Sequence, residues 1–449
     1  MNRPPANARE KQRESVAPAR LAAFEILGRV AGGSYASVLL AASGDLERRD
    51  RALCHELVLG VLRFQLWLDL AIEHFAERSI ARLDLPVLLA LRLGLYQLRF
   101  LTRIPQSAAV NESVNLVRGS RVRSAASFVN AVLRRATREP QFDPASGTQD
   151  PLERLAVSTS HPRWMIERWV SAFGIQEAEA FALANNQPAP VAFRVVDKKE
   201  TSQILDRLRE VGATLEPSEI TKDAWRLQGG GDLPHELART GTIYFQDEAS
   251  QLVAQIVAEQ AEDRVLDVCA APGSKTSQIA AATPAQVVAG DIHLHRINTV
   301  RQVAALQDLR NVRCVVLDGE SILPFNEGSF ARVLVDAPCS GTGTLRHNPE
   351  IRWRISAEDI SDLSRRQRQL LINASRVVKP GGRLVYSTCS VEPEENEAVV
   401  REFIEARDDF EPLTLPVRES LLTSTGAART WPHRDNTDGF FVAAFARRL

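Results

Sequence analysis

Cysteine is scarce in this chain of 449 residues: there are five, an odd number, widely spaced. That excludes a disulfide framework, and the lack of any CxxC pair excludes the usual structural zinc site and leaves no metal expected. Free thiols imply a reducing compartment, so the expected location is the cytoplasm. Long hydrophobic runs are also missing. The greasiest stretch, Leu85 to Leu98, is broken by Arg92. A transmembrane helix needs about 18 or more uncharged apolar residues, so no membrane span is expected. Met1 to Arg20 is polar and has no apolar centre, so a secretory signal is not expected either. Net charge is nearly absent, −1 overall, which argues against indiscriminate binding to nucleic acid.

Two ligand-binding fingerprints are absent as well. The turn after Asp267 has no G-x-G-x-x-G, which argues against a dinucleotide enzyme. Gly273-Ser274-Lys275-Thr276 is no phosphate-binding P-loop, because the first glycine of that motif would fall at position 268, which is Val.

What is present divides the chain into segments. Hydrophobic residues make up 44%, enough for real cores, and the length predicts two to four domains. Residues 1–15 read as a disordered polar tail. From 16 to 145 apolar residues recur at helical spacing, as in Leu21, Phe24, Leu27 and Val30, so an all-α domain is expected. Gln141 to Pro151 is rich in Asp, Pro, Ser and Gly and reads as a linker. Residues 151–235 predict a small α+β domain, with a helix from His161 to Phe173, a strand at Val191–Val196, a helix at Ser202–Val211 and a strand around Trp225. Trp164 and Trp169 are expected to be core anchors. From 236 to 449 strands alternate with helices. Candidates are Arg264–Val268, Gln286–Asp291, Val312–Asp318, Arg332–Asp336 and Arg383–Ser387, a pattern that predicts a Rossmann-like parallel sheet covered on both faces.

Ligands of such sheets bind at the carboxyl ends of strands, and three motifs begin there. The first, Val265-Leu266-Asp267-Val268-Cys269-Ala270-Ala271-Pro272-Gly273-Ser274-Lys275-Thr276, is a strand running into a turn of small residues that a ligand can approach closely. Asp291, 24 residues after Asp267, ends the next strand and can accept hydrogen bonds from two ribose hydroxyls; Asp318 ends the third, placed for an adenine amino group. An adenosine without a pyrophosphate, as in S-adenosylmethionine, suits this set. The other two motifs each hold a cysteine in a polar turn: Asp336-Ala337-Pro338-Cys339-Ser340-Gly341-Thr342-Gly343 and Ser387-Thr388-Cys389-Ser390-Val391-Glu392-Pro393. Reactive cysteines occupy such settings, whereas Cys54, Cys269 and Cys314 read as buried packing residues.

These three motifs resemble the RNA (cytosine-5)-methyltransferases of the Nol1/Nop2/Sun family. The first third separately resembles the helical RNA-binding domain of the antitermination factor NusB, through Asn111-Glu112-Ser113-Val114-Asn115-Leu116-Val117 and Phe128-Val129-Asn130-Ala131-Val132-Leu133-Arg134. The family resemblance implies a ferredoxin-like or RRM-like middle module and S-adenosylmethionine held by residues 269–275 (Cys269, Ala270, Ala271, Pro272, Gly273, Ser274, Lys275), Asp291, Asp318 and Asp336. Ser274 stands where the family usually has Gly, and Asp197 where it often has Asn.

The chemistry needs a thiolate that adds to carbon 6 of cytosine, making carbon 5 nucleophilic, and an acid at ring nitrogen 3. Asp336 is the expected acid, if its pocket raises its pKa. Lys275 either faces the cytosine or binds a backbone carbonyl. By the residues alone either cysteine qualifies as nucleophile: Pro-Cys resembles the nucleophile of DNA cytosine-5 methyltransferases. The family resemblance assigns attack to Cys389 and product release to Cys339.

Charge distribution supports an RNA substrate. Ser113 to Arg138 carries Arg118, Arg121, Arg123, Arg134, Arg135 and Arg138 and no acidic residue, a candidate phosphate-binding patch. Arg346 and Arg352 are expected on phosphates of the flipped nucleotide, and His433 with Asp438–Phe441 in a closing strand. The pairing with a NusB-like domain implies a cytosine of small-subunit (16S) ribosomal RNA as target, with a tRNA or another rRNA cytosine as the alternative. A non-catalytic antitermination factor is disfavoured, because both cysteines and all the acids are present. A monomer without an obligate protein partner is expected.

Overall fold

In the computed structural model the described residues are 16–449, apart from Ser43 and Asp45. The expected tail over 1–15 lies outside them. The described residues form two compact units, residues 16–187 with 345–354, and residues 188–344 with 355–449.

The first unit is helical. Its central helix, Leu85–Phe100, is apolar nearly all round and packs against neighbours on every side, as a helix without a polar face must. Arg92 and Asp69 sit in this interior as a two-pronged ion pair, both bonds 2.7 Å. Close packing depends on two glycines. A Cβ on Gly60 would strike the Tyr96 ring, and one on Gly94 would meet Leu133 and Ser113 at 2.6 and 2.7 Å. Trp169 is fully buried edge-on to Phe181, the core role expected of it.

Helices Pro151–Thr159, Arg163–Phe173 and Ile175–Ala184 also belong to this unit. So does the excursion 345–354, which leaves the second unit directly after Thr344. Arg352 there has no exposed surface, and its guanidinium donates to the carbonyls of Arg63, Ser160 and Asn185 and to Asn186 Oδ1. Burial, with Arg63 nearby, pushes its pKa down to about 9. Trp353 Nε1 donates to Leu62 O at 2.8 Å, and Arg354 to Val30 O at 2.7 Å. The excursion is thus built into the helical unit.

The second unit holds two sheets. Strands β1 (Val191–Val195), β2 (Thr214–Pro217), β3 (Ala224–Gln228) and β4 (Ile243–Phe245) form an antiparallel sheet ordered β2-β3-β1-β4. Arg194 of β1 is buried and reaches Gln246, Ser277 and Gln307, which ties this sheet to the helices of the larger one. The larger sheet comprises β5 (Val265–Asp267), β6 (Val287–Asp291), β7 (Val312–Val316), β8 (Phe330–Asp336), β9 (Val378–Thr388), β10 (Phe410–Leu413), β11 (Ala428–Arg429) and β12 (Phe441–Arg447). Its order is β10-β12-β9-β8-β5-β6-β7, with β11 beside β12. Strands β5 to β9 are parallel, as expected, and β10 to β12 add an antiparallel flank. From β5 the chain winds outward through β6 and β7, then returns to place β8 on the other side of β5. That reversal opens a crevice at the carboxyl ends of β5 and β8.

Candidate active site

Asp267 and Asp336 end the two strands at the crevice. Asp267 is fully buried and accepts from Thr276 Oγ1 at 2.6 Å, while its second oxygen has no partner among the described residues. Burial pushes its carboxyl up to about 7; the neighbouring Asp336 adds to the rise, and the Thr276 bond and Lys275 oppose it. Asp336 accepts from Lys275 Nζ and from Ser387 Oγ, each at 2.7 Å. Lys275 is therefore an ion-pair partner rather than a carbonyl ligand. Burial works against its charge, yet Asp336, with Cys389 and Asp267, carries its pKa upward. Its ammonium also lies 5.0 Å from the centre of the Phe440 ring.

The two cysteine turns meet beside this pair. Cys339 and Cys389 are both half-buried, with their Sγ atoms 3.3 Å apart. The hydrogen bond to Cys389, burial and the charges of Cys389 and Glu395 push the Cys339 thiol well up. Glu395, fully buried, holds the turns together. It accepts from Ser340 N at 2.9 Å, from Gln367 Nε2 at 2.8 Å, and from the hydroxyls of Ser340 and Ser390. Gly343 N donates to Cys389 O and Gly439 N to Gly343 O, at 2.9 and 2.8 Å. A Cβ on Gly343 would lie 1.9 Å from Gly439 O, so the approach of the two loops requires a glycine there.

The sequence motifs single out Cys339, Cys389, Asp336 and Lys275, place Phe440 only in a closing strand, and miss Glu395 and Gln367. The only signal for Glu395 was its place in the polar run Glu392–Asn396 just after the second cysteine motif.

The turn expected to hold the cofactor adjoins the crevice. Gly273 has a left-handed φ of 109°, and a Cβ there would come within 3.2 Å of Val300 Cα. Ala270 is buried and Cys269 half-buried. Burial pushes the Cys269 thiol up, as do Asp267, Asp336 and Asp291, which fits a packing role. Cys54 is buried as expected, but Cys314 is only half-buried. Asp291 is buried at the end of β6; its carboxylate accepts from His293 N at 2.9 Å and pairs with Arg296 at 3.3 Å. Asp318 is exposed and occupied with Glu320 N and Ser321 Oγ. Glycine-lined backbone, an unpartnered buried carboxylate oxygen and acids at successive strand ends fit an adenosyl ligand.

The predicted RNA-binding arginines lie in the helical unit. Arg118, Arg121, Arg123 and Arg134 are exposed. Arg135 is paired with Glu77 at 2.6 Å and with Glu139 at 3.3 Å, so its charge is already engaged. Arg346 and Arg352, expected on phosphates, are buried. For Arg352 the reason is its ring of carbonyl acceptors, which leaves no face open to RNA. Asp197 is exposed and caps a short turn through Lys199 N.

Three family models match successive parts of the chain. The family model of the 16S rRNA methyltransferase RsmB/F matches residues 254–446, that of the NusB family 17–138, and that of the RsmF/B-like ferredoxin-like domain 161–233. A probable ribosomal RNA small subunit methyltransferase B of Bacillus subtilis is 33% identical over 432 residues, 92% of this chain and 95% of that protein. The chain belongs to the RsmB/F methyltransferase family. Ribosomal RNA small subunit methyltransferase B of Pseudomonas putida is 34% identical, covering 94% of this chain and 97% of the relative. Among solved structures, a methyltransferase homolog protein from Pyrococcus horikoshii superposes with a TM-score of 0.58 at 28% identity, over 67% of this chain and all of that one. The structure of PH0851 superposes with a TM-score of 0.82 at 26% identity, covering 96% and 99%. The RsmB/F match takes in β5 to β12 almost whole, and with them all three motifs.

Proposed function

We propose that this chain methylates carbon 5 of a cytosine in small-subunit ribosomal RNA, in the cytoplasm, using S-adenosylmethionine. The observation that carries the reading is the meeting of two cysteine sulfurs beside a Lys–Asp ion pair at the crevice of the sheet. Residues 269–275, with Asp291 and Asp318, would hold the cofactor, which supplies an electrophilic methyl group when bound.

The residues divide the work as follows. Cys389 lies within the electrostatic reach of Lys275 and beside a thiol that keeps its proton. We assign the attacking thiolate to Cys389, as the family resemblance implies. That thiolate adds to carbon 6 of cytosine. As the sulfur–carbon bond forms, nitrogen 3 takes a proton held within the Asp336–Lys275 pair. Carbon 5, now enamine-like, accepts the methyl group. A base then removes the carbon 5 proton, the sulfur–carbon bond breaks with the electron pair returning to Cys389, and nitrogen 3 gives its proton back to the Asp336–Lys275 pair. Cys339, 3.3 Å away, keeps its proton and offers its S–H as a hydrogen bond to the departing thiolate, consistent with a role in release. Dividing one hard substitution into addition and elimination is what covalent catalysis offers.

Bisulfite sequencing of total RNA tests the reading. A strain lacking this protein should lose protection of a cytosine in small-subunit rRNA, and the wild-type chain, but not Cys389→Ala, should restore it. Loss of protection in a tRNA instead would move the target, and no loss anywhere would overturn the activity.

A further inference from the structure

The helical unit contains a cleft of about 600 Å³ between helices Gln106–Arg118 and Ala126–Arg138. It is lined by Asn111, Val114, Asn115, Arg118, Ala126, Ser127 and Asn130. Asn111, Asn115 and Arg118 stand four and three residues apart, on one face of the first helix. Ser127, Asn130 and Arg134 form the matching stripe on the second. The floor is apolar, since Val114 and Ala126 are buried, while Asn111, Arg118, Ser127 and Asn130 are exposed along the walls. Arg118 Nη1 donates to Asn115 Oδ1 at 3.1 Å, which occupies the oxygen of that amide and leaves its NH2 unengaged by this bond. The amides of Asn111 and Asn130 have no hydrogen-bond partner among the described residues.

Three amides, one hydroxyl and one cation call for a particular ligand. A bare phosphate would be met by several cations. A carboxylamide offers a donor and an acceptor side by side, the pattern presented by the edge of a nucleobase. An apolar floor suits the flat face of the base, and a guanidinium plane suits stacking or an adjoining phosphate. The volume lies within the range of about 300–1,000 Å³ typical of small-ligand sites. No acidic residue lines the cleft to repel RNA.

We propose that this cleft is a reading site for an unstacked nucleotide of single-stranded RNA, with its base contacted by Asn111, Asn115 and Asn130. The inference rests on the reading of RNA as substrate. It assigns to the helical unit a sequence-selective role separate from the charge-driven attraction of the neighbouring arginines.

The test uses the full-length protein and a pool of hairpin RNAs with randomised single-stranded loops. RNAs retained at fixed salt are sequenced. The wild type should enrich particular bases at one or two loop positions, about tenfold for each base read. The triple variant Asn111→Ala, Asn115→Ala, Asn130→Ala should lose that preference, with the same salt dependence of binding. Asn130→Asp, which replaces a donor by an acceptor at constant shape, should change the preferred base. The pair Arg121→Gln and Arg123→Gln should weaken binding and flatten its salt dependence, with the preference retained. A triple variant that enriches the same bases, or a wild type that binds the pool without base preference, overturns the proposal. A wild type that neither binds RNA nor methylates rRNA overturns the substrate reading itself.

Discussion

The Sγ atoms of Cys339 and Cys389 lie 3.3 Å apart, although 50 residues separate them in sequence. The contact is not symmetric. Cys339 bonds to Cys389, is half-buried, and faces the charge of Glu395, all of which hold it in the thiol form. Cys389 is instead coupled electrostatically to the Lys275 ammonium. The proposed mechanism uses this asymmetry, with Cys389 as the attacking sulfur and Cys339 as the release partner.

This asymmetry predicts different fates for two variants. Cys389→Ala should be inactive and form no covalent RNA complex. Cys339→Ala should still add to the base and transfer the methyl group, but release slowly. Its adduct should persist as a protein–RNA band on a denaturing gel. Attack comes first and elimination last, so only the loss of the release partner can trap the intermediate. A trapped band in Cys389→Ala, and none in Cys339→Ala, would exchange the two roles.

Glu395 should matter almost as much, although it reaches no substrate atom. Its carboxylate accepts from both cysteine turns and from Gln367. Glu395→Gln puts an amide NH2 against donors, at a cost of about 1.5–3 kcal/mol for lost charge-assisted hydrogen bonds. It also removes a negative charge that raises the Cys339 thiol. The Cys339 pKa should therefore fall. In a Cys389→Ala background, alkylation of Cys339 by iodoacetamide should begin at lower pH once Glu395 is replaced. An unchanged alkylation profile would reduce Glu395 to a packing role.

Asp291→Ala tests the cofactor site. A charge-assisted bond to a ribose hydroxyl is worth about 1.5–3 kcal/mol, so S-adenosylmethionine affinity should fall by roughly ten- to a hundredfold. Asp291 also accepts from His293 N, just before the following helix, so Asp291→Asn, which keeps an oxygen for that bond, is the control for folding. Calorimetry that finds wild-type affinity in both variants would remove Asp291 from the ribose.

The sheet was legible because its strand ends carry the chemistry. Asp267, Asp291 and Asp336 end β5, β6 and β8 as the alternating pattern predicts. The two cysteine motifs were legible because Gly, Pro and Ser around a thiol are unusual in a core. Arg352 was misread because its partners are backbone carbonyls, which leave no mark in sequence. An arginine beside a catalytic loop then looks like a phosphate ligand. Glu395 was missed for the opposite reason: in a run of acids, nothing marks the one that will be buried. The antiparallel flank of β10 to β12 depends on long-range pairing, such as Phe441 with Thr388, that local periodicity does not encode.

The carboxyl of Asp267 gives a stability signature with a definite sign. Its pKa is raised to about 7, chiefly by burial, against about 3.9 for an unfolded aspartate. The folded chain therefore binds a proton that the unfolded chain has already lost between these two values. Stability from this group is fully present below about pH 4 and declines as pH rises towards 7, by up to ~1.4 kcal/mol per pH unit. Above about 7 the slope from Asp267 vanishes, because both states are then ionised. Asp267→Asn cannot titrate, and its amide can still accept from Thr276 Oγ1. The difference in urea-unfolding free energy, variant minus wild type, should climb between pH 4 and 7 and level off above it. A difference that is flat with pH would place the ionisation of Asp267 outside that window, and one that falls would reverse the sign of its coupling to folding.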